Sequence, residues 1–285
     1  MSGCTQRLDA ALVARGLARS RTQAKALVLD GRVAVDGVVA VKVSVTVSSG
    51  QSLAVSAEPT GGDTDWITAG WVGRGAVKLA HALALWGPEG LHVEGRRCLD
   101  VGASTGGFTQ VLLEHDVAHV LALDVGHGQL DPRVARRREV TEWSGTNIKD
   151  VVPDTLGGRF GVLVGDLSFI SLRAVLPVLP ALLEPQAEVV LLVKPQFEVG
   201  AALLGRTGVV RSAQQRHDVL TSITQSAGDH GLVTFGVARS PLRGGSGNIE
   251  YLLWLRPQRH GMMDWGLPSQ EVLARCASLR LEELR

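Results

Sequence analysis

Four ionisable side chains of this chain stand where an α/β protein places its chemistry. Asp166 follows the apolar run Phe160–Val164, and Lys194 follows Glu188–Val193, so both fall at the carboxyl ends of predicted strands. Lys78 lies on the first helical pattern, in Arg74-Gly75-Ala76-Val77-Lys78-Leu79, within reach of the same edge. Glu250 comes just after Ser246-Gly247-Asn248-Ile249. A lysine at the end of an apolar strand is costly unless it is paired or functional. Cations and carboxylates gathered in this way can orient a hydroxyl and manage its proton. The bland alternative is two structural ion pairs at a sheet edge.

The same edge carries a glycine-rich turn. Arg97–Val101 leads into Gly102-Ala103-Ser104-Thr105-Gly106-Gly107-Phe108. Glycines at a strand-to-helix turn let a ligand come close to the backbone at a helix N-terminus. Asp124 ends the next predicted strand about 20 residues further on, where an acidic group can accept hydrogen bonds from ribose hydroxyls. This much fits NAD as well as S-adenosylmethionine. The spacing is not G-x-G-x-x-G, however, and Asp100 precedes the first glycine by two places. Asp-x-Gly-x-x-x-Gly resembles the first motif of methyltransferases. A purely structural glycine turn is the third reading.

The elements that must position these residues alternate along the chain. Strands are expected at Arg97–Val101, Val117–Leu123, Phe160–Val164, Glu188–Val193, Leu232–Val237 and Glu250–Leu255, with helices at Gly107–His115, Leu172–Leu183 and Ser212–His230. Strands alternating with helices imply an α/β fold with a doubly wound, mostly parallel sheet. The last two strands are too close for a crossover helix and predict an antiparallel hairpin. Ahead of this lies a small α+β segment. It has a helix through Leu8–Ala14 ended by Gly16, a second capped by Ser20 and ended by Gly31, a hairpin turning at Asp36-Gly37, and strand-like valines from Val41 to Val47 and at Leu53–Val55. The expected divisions are 1–57 for this segment, 58–72 for a linker, 73–258 for the α/β domain and 259–285 for a helical tail that packs.

Composition narrows the class. With 45% hydrophobic and 20% charged residues the chain reads as globular. Its apolar runs fall far short of the ~20 residues that span a bilayer. The N-terminus has no apolar signal region, and three scattered cysteines form neither a disulfide framework nor a zinc cluster. A cytoplasmic location is therefore the expectation. Net charge is +1, but residues 1–57 hold seven basic residues against three acidic ones. That asymmetry fits either a polyanion-binding module or a solvated helix face.

Lys78, Asp166, Lys194 and Glu250 match in order and context the lysine-aspartate-lysine-glutamate tetrad of the FtsJ-like ribose methyltransferases. The surrounding strings resemble the TlyA family of rRNA 2'-O-methyltransferases, often labelled haemolysins. The matching strings are RGAxKL at 74–79, DxGASTGGFT at 100–109, DVGxGQL at 124–130, DLSFISL at 166–172, VKPQFEVG at 193–200 and GNxEY at 247–251. The N-terminal segment is similar to the family's ribosomal-protein S-four-type RNA-binding domain. The resemblance implies a Rossmann-like methyltransferase sheet, S-adenosylmethionine as cofactor, and ribosomal RNA or ribosomal subunits as partner, with a cytidine ribose as target. Neither a membrane nor an obligate protein partner is expected.

The resemblance also implies the site. Lys78, Asp166, Lys194 and Glu250 form the catalytic group. Asp100, Gly102, Ala103, Ser104, Thr105, Gly106, Gly107, Asp124, Asn147 and Asp166 form the cofactor-binding group. Lys194 is the candidate to position the ribose hydroxyl and accept its proton, which requires a neutral amine favoured by burial or by the cation of Lys78. Asp166 and Glu250 oppose that, so base and positioning roles both stay open. Phe108 and Phe169 are expected to pack, and His127 to be a loop residue. RNA phosphates are assigned to Arg7, Arg15, Arg19, Arg21 and Lys25. Ala69 departs from the family's Arg-x-Trp-Val linker, and the basic run Arg136-Arg137-Arg138 is either a phosphate contact or a solvated helix. Two other readings are a non-catalytic RNA-binding or ribosome-assembly protein and a haemolysin; the latter predicts a secretion signal or membrane segment that the sequence lacks.

Overall fold

The structure, a computed structural model, describes residues 5–18, 21–29, 32–40, 42–55, 70–200, 204, 208–258 and 269–282. The chain forms two compact units, the first drawn from residues up to Gly70 together with Gly244–Gly247, the second from Trp71–Arg243 and the residues from Asn248 on.

In the first unit, β1 (Thr5–Arg7) runs into α1 (Leu8–Ala14), followed by α2 (Arg21–Leu29), β2 (Val33–Val35), β3 (Val38–Val39), β4 (Thr46–Ser48) and β5 (Leu53–Val55). Leu8, Ala11 and Leu12 of α1 meet Ala24, Leu27 and Val28 of α2 in one small core. The hairpin expected at Asp36-Gly37 forms: both residues carry positive φ, 50° and 82°, as a primed turn requires. Val43 and Val45 are not in strands; only Val47 is, in β4, which pairs with β1. β1 was not anticipated, since three polar residues show no period of two. Ser20, Gly31 and Val41 lie outside the described residues.

The second unit is a seven-stranded sheet ordered β11-β12-β10-β9-β6-β7-β8. Its elements are α3 (Gly75–Trp86), β6 (Arg97–Val101), α4 (Gly107–Glu114), β7 (His119–Asp124), α5 (Pro132–Ala135), β8 (Val140–Ser144), β9 (Phe160–Gly165), α6 (Leu179–Leu182), β10 (Leu183–Val193), α7 (Ala213–Asp229), β11 (Leu232–Arg239), β12 (Tyr251–Pro257) and α8 (Ser269–Glu282). Strands β10, β9, β6, β7 and β8 are parallel, while β12 runs antiparallel between β10 and β11, as the short final connection predicted.

Central strands are apolar on both faces because helices cover both. Leu99, Leu163, Val189 and Leu191 face α7 and α8. Cys98, Val162, Val190 and Leu192 face α3 and α4. The tail helix α8 buries Val272 and Cys276 in this core.

One expectation fails locally, and one strand was not anticipated. Leu172–Leu183 is not one helix but two 3-10 turns and the short α6. Pro177 and Pro180 lack the amide hydrogens that a continuous helix needs and disfavour helical backbone before them. The edge strand β8 has no apolar run to announce it.

The chain crosses the sheet between β6 and β9, which are neighbours although β7 and β8 intervene in sequence. Such a crossing opens a crevice at the carboxyl ends of the strands. Asp100, the glycine turn, Asp166 and Lys194 all fall at that edge.

Candidate active site

The four ionisable residues converge. Lys78, one turn into α3, places Nζ 2.8 Å from Glu250 Oε2 and 3.3 Å from Asp166 Oδ2. Lys194 places Nζ 2.5 Å from Asp166 Oδ1 and donates to Ser168 Oγ at 2.8 Å. Asp166 therefore bridges the two lysines, one on each carboxylate oxygen. Lys78 and Glu250 are 5% and 2% exposed, and Lys194 is also buried.

Charge follows from this geometry. Burial alone would raise the Asp166 carboxyl, but Lys194 and Lys78 hold it well below the usual carboxylate range. Burial would likewise discharge Lys78, yet Asp166 and Glu250 outweigh it and keep its pKa above the ordinary lysine value. Lys78 is thus a fixed cation at neutral pH. Asp100 behaves oppositely: burial pushes its carboxyl up to about 7, although Thr109 Oγ1 donates to Oδ2 at 2.6 Å. Its other oxygen, Oδ1, is buried without a hydrogen-bond partner among the described residues.

The glycine turn is built for close approach. Gly102 and Gly106 have φ of 80° and 92°, a region other residues rarely adopt. A β-carbon on Gly102 would come within 3.1 Å of the Asp166 carbonyl, and one on Gly107 within 2.9 Å of Ala76 N. The turn is thereby pressed against both β9 and the start of α3, which carries Lys78. Ser104, at φ 49°, donates its amide to Asp124 Oδ2 at 2.9 Å. Asp124 Oδ1 also accepts from Gly126 N and Gln129 Nε2. Asp124 therefore braces the turn, with one lone pair of Oδ2 left for a ligand hydroxyl. Asn147 Oδ1 caps the turn at Ile148–Asp150. An orphaned buried acceptor, a left-handed turn and a carboxylate at the end of β7 together fit a nucleoside-bearing cofactor.

Residues beyond the expected set join this cluster. Ser168 contacts Lys194. Gln196 Nε2 lies 3.4 Å from Glu250 Oε1. Glu198, buried, accepts from Ser171 Oγ at 2.6 Å and Leu172 N at 2.7 Å, tying the loop after β9 to the loop after β10. Asn248 holds Val210 N and the Gly208 carbonyl. All of these but Asn248's partners Gly208 and Val210 lie within the matched strings, which was the one available signal.

Phe108 is buried, as expected. Phe169 is not: it is 55% exposed, with φ 65°, and its ring centroid lies 5.1 Å from that of Phe197. A left-handed backbone turns the side chain away from the core. His127 is exposed in its loop, lying against Gly145.

In the first unit, Arg7 and Arg21 both pair with buried Asp9, at 3.1 and 2.8 Å. Burial would raise the Asp9 carboxyl, but these two hold it below the usual range. Lys25, partly buried, is pushed down by that burial and pulled up by Asp9. Arg15 is elsewhere, its guanidinium spent on the carbonyls of Gln51 and Ser48 at 2.6 and 2.9 Å. Arg19 and Ala69 lie outside the described residues, as does most of the expected linker. Arg137 and Arg138 both pair with Glu139 at an exposed surface.

The FtsJ-like methyltransferase family model matches residues 71–257, and the S4 domain model matches residues 6–53. A Mycobacterium tuberculosis protein named 16S/23S rRNA (cytidine-2'-O)-methyltransferase TlyA is 48% identical over 88% of this chain and 90% of its own length. A solved structure from Streptococcus thermophilus, named as a candidate hemolysin, is 34% identical, covers 99% of both chains and superposes with a TM-score of 0.65. Another so named, from Lactococcus lactis, is also 34% identical, covering 73% of this chain and 98% of its own, with a TM-score of 0.66. Among the described residues no helix is long and apolar enough to cross a membrane.

Proposed function

This chain belongs to the TlyA family of FtsJ-like rRNA methyltransferases, and from that premise we propose that it methylates the ribose 2'-hydroxyl of a cytidine in ribosomal RNA, with S-adenosylmethionine as methyl donor. The observation that carries the reading is the convergence of Lys78, Asp166, Lys194 and Glu250 beside the glycine turn. Residues up to 57 act as the RNA-binding domain, 58–72 as linker, and 73–258 with the tail 259–285 as the catalytic part. A cytoplasmic location follows from the substrate.

S-adenosylmethionine, when bound, supplies an electrophilic methyl group on a sulfonium. Asp100, the turn Gly102–Gly107, Asp124, Asn147 and Asp166 are the residues that would hold it. Lys194 orients the ribose hydroxyl and, in its neutral form, receives the proton that the hydroxyl loses. Asp166 fixes Lys194 in place. Lys78, kept protonated, balances the negative charge of Asp166 and Glu250 so that neither draws water into the cleft. Much of the acceleration comes from alignment alone, since a reacting pair held in line gains most of what a bimolecular encounter lacks. Exposed Phe169, its ring against that of half-buried Phe197, supports a stacking platform for a base taken out of its helix.

The test is transfer of labelled methyl from S-adenosylmethionine to purified ribosomal subunits and intact ribosomes, with the modified nucleotide mapped. Incorporation at a ribose 2'-oxygen supports the proposal and identifies the subunit. Cofactor binding without incorporation on any ribosomal RNA would overturn it in favour of a non-catalytic RNA-binding role.

A further inference from the structure

Ser168 stands apart from the four ionisable residues, yet it touches the one to which the proton is assigned. Lys194 donates to its Oγ at 2.8 Å, and Asp166 Oδ1 lies 2.5 Å from the same Nζ. A neutral amine has two hydrogens and one lone pair. One hydrogen is held by Ser168 Oγ, and the Asp166 carboxylate, in ionic contact through Oδ1, draws the other toward itself, which turns the lone pair away from both. Asp166 alone would leave the amine free to turn about its last bond, with the lone pair in no fixed direction.

The surrounding backbone is arranged to keep Ser168 there. The next residue, Phe169, adopts φ 65°, a conformation that costs on the order of 1 kcal/mol or more for a residue with a side chain. That turn is held from two sides. Phe169 meets Phe197, and buried Glu198 binds Ser171 and Leu172 just beyond it. Both restraints come from the loop that follows Lys194, so the two loops are locked in one register. Ser168 itself is exposed and supports no core. Local strain, a buried clamp and an exposed hydroxyl on a buried lysine have no packing purpose in common.

We infer that Ser168 is a positioning residue, which orients the Lys194 amine so that its lone pair faces the ribose hydroxyl. The inference rests on the methyltransferase reading given above. In the step it serves, the 2'-hydroxyl proton moves to Nζ, the oxygen's electron pair forms the bond to the methyl carbon, and the carbon–sulfur bond breaks.

The experiment is single-turnover methyl transfer to ribosomal RNA by the full chain, comparing wild type with Ser168→Ala, Ser168→Thr and Lys194→Ala. Cofactor affinity is measured in parallel by calorimetry. Ser168→Ala is expected to lower the rate about 10- to 100-fold, the scale of a small misplacement of a reacting group, with unchanged cofactor affinity and unchanged KM for RNA. Ser168→Thr keeps the hydroxyl and restores most of the rate. A wild-type rate for Ser168→Ala beside an inactive Lys194→Ala overturns the inference and leaves the methyltransferase reading intact. Equal loss in the alanine and threonine variants also overturns it. If the wild type itself transfers no methyl to ribosomal RNA, the underlying reading fails and the inference falls with it.

Discussion

Lys78 Nζ and Glu250 Oε2, 172 positions apart in the chain, meet at 2.8 Å with both side chains almost wholly buried. Breaking such a pair leaves an uncompensated charge, at a cost of about 3–5 kcal/mol. Glu250→Ala is therefore expected to lower stability on that scale in denaturant titrations. Lys78→Met/Glu250→Ala together should recover much of the loss. A single-variant loss below about 1 kcal/mol would mean that the pair is open to water.

Lys194→Ala should behave differently. Its role is at the reacting atoms, so methyl transfer should fall by about 10²- to 10⁴-fold, as for a general base, while cofactor and RNA affinities hold. Methyl transfer at the normal rate with binding intact would remove Lys194 from the mechanism.

Asp100 gives the protein a distinctive pH dependence. Its folded pKa is raised to about 7 by burial, from 3.8 in the ordinary state. Between these values the folded chain keeps a proton that the unfolded chain releases, so stability falls as pH rises through this window and levels off above it. Asp100→Asn removes the titrating group. Thermal unfolding followed from pH 4 to 8 should show a smaller decline for the variant than for wild type; parallel curves would place the Asp100 carboxyl in contact with water.

Gly107 lies where the glycine turn meets the start of α3. Because the obstacle to a β-carbon is the backbone nitrogen of Ala76 at 2.9 Å, no side chain can swing aside. Gly107→Ala should cost about 1–3 kcal/mol, as overpacking does, and should slow methyl transfer as well by displacing the helix that carries Lys78. Full activity in a destabilised variant would separate that helix's position from the chemistry.

Arg21 and Arg15 should separate in RNA-binding assays. Arg21 is exposed and pairs with buried Asp9, whereas Arg15 is committed to backbone carbonyls. Arg21→Glu is expected to weaken RNA binding and reduce the slope of log K against log salt by about 1. Arg15→Ala should instead lower the melting temperature of the first unit. Identical salt slopes for Arg21→Glu and wild type would remove Arg21 from the RNA contact.

By itself the sequence determined the alternation of strands and helices, the glycine turn and the order of the four ionisable residues. These features are written locally, as runs of apolar residues ending in glycine, aspartate or lysine, and local burial patterns survive in one dimension. Only the tertiary structure decided that Asp166 bridges both lysines, that Ser168 and Gln196 complete their surroundings, and that Phe169 faces outward. It also decided that Arg15 is spent on carbonyls and that β1 and β8 find partners. Each of these depends on a hydrogen bond, ion pair or backbone angle set by groups distant in sequence: Ser168 and Lys194 are 26 positions apart, and Arg15 and Gln51 are 36. Hydrophobic periodicity reports which face of an element is buried, but not which polar atom waits on the other side.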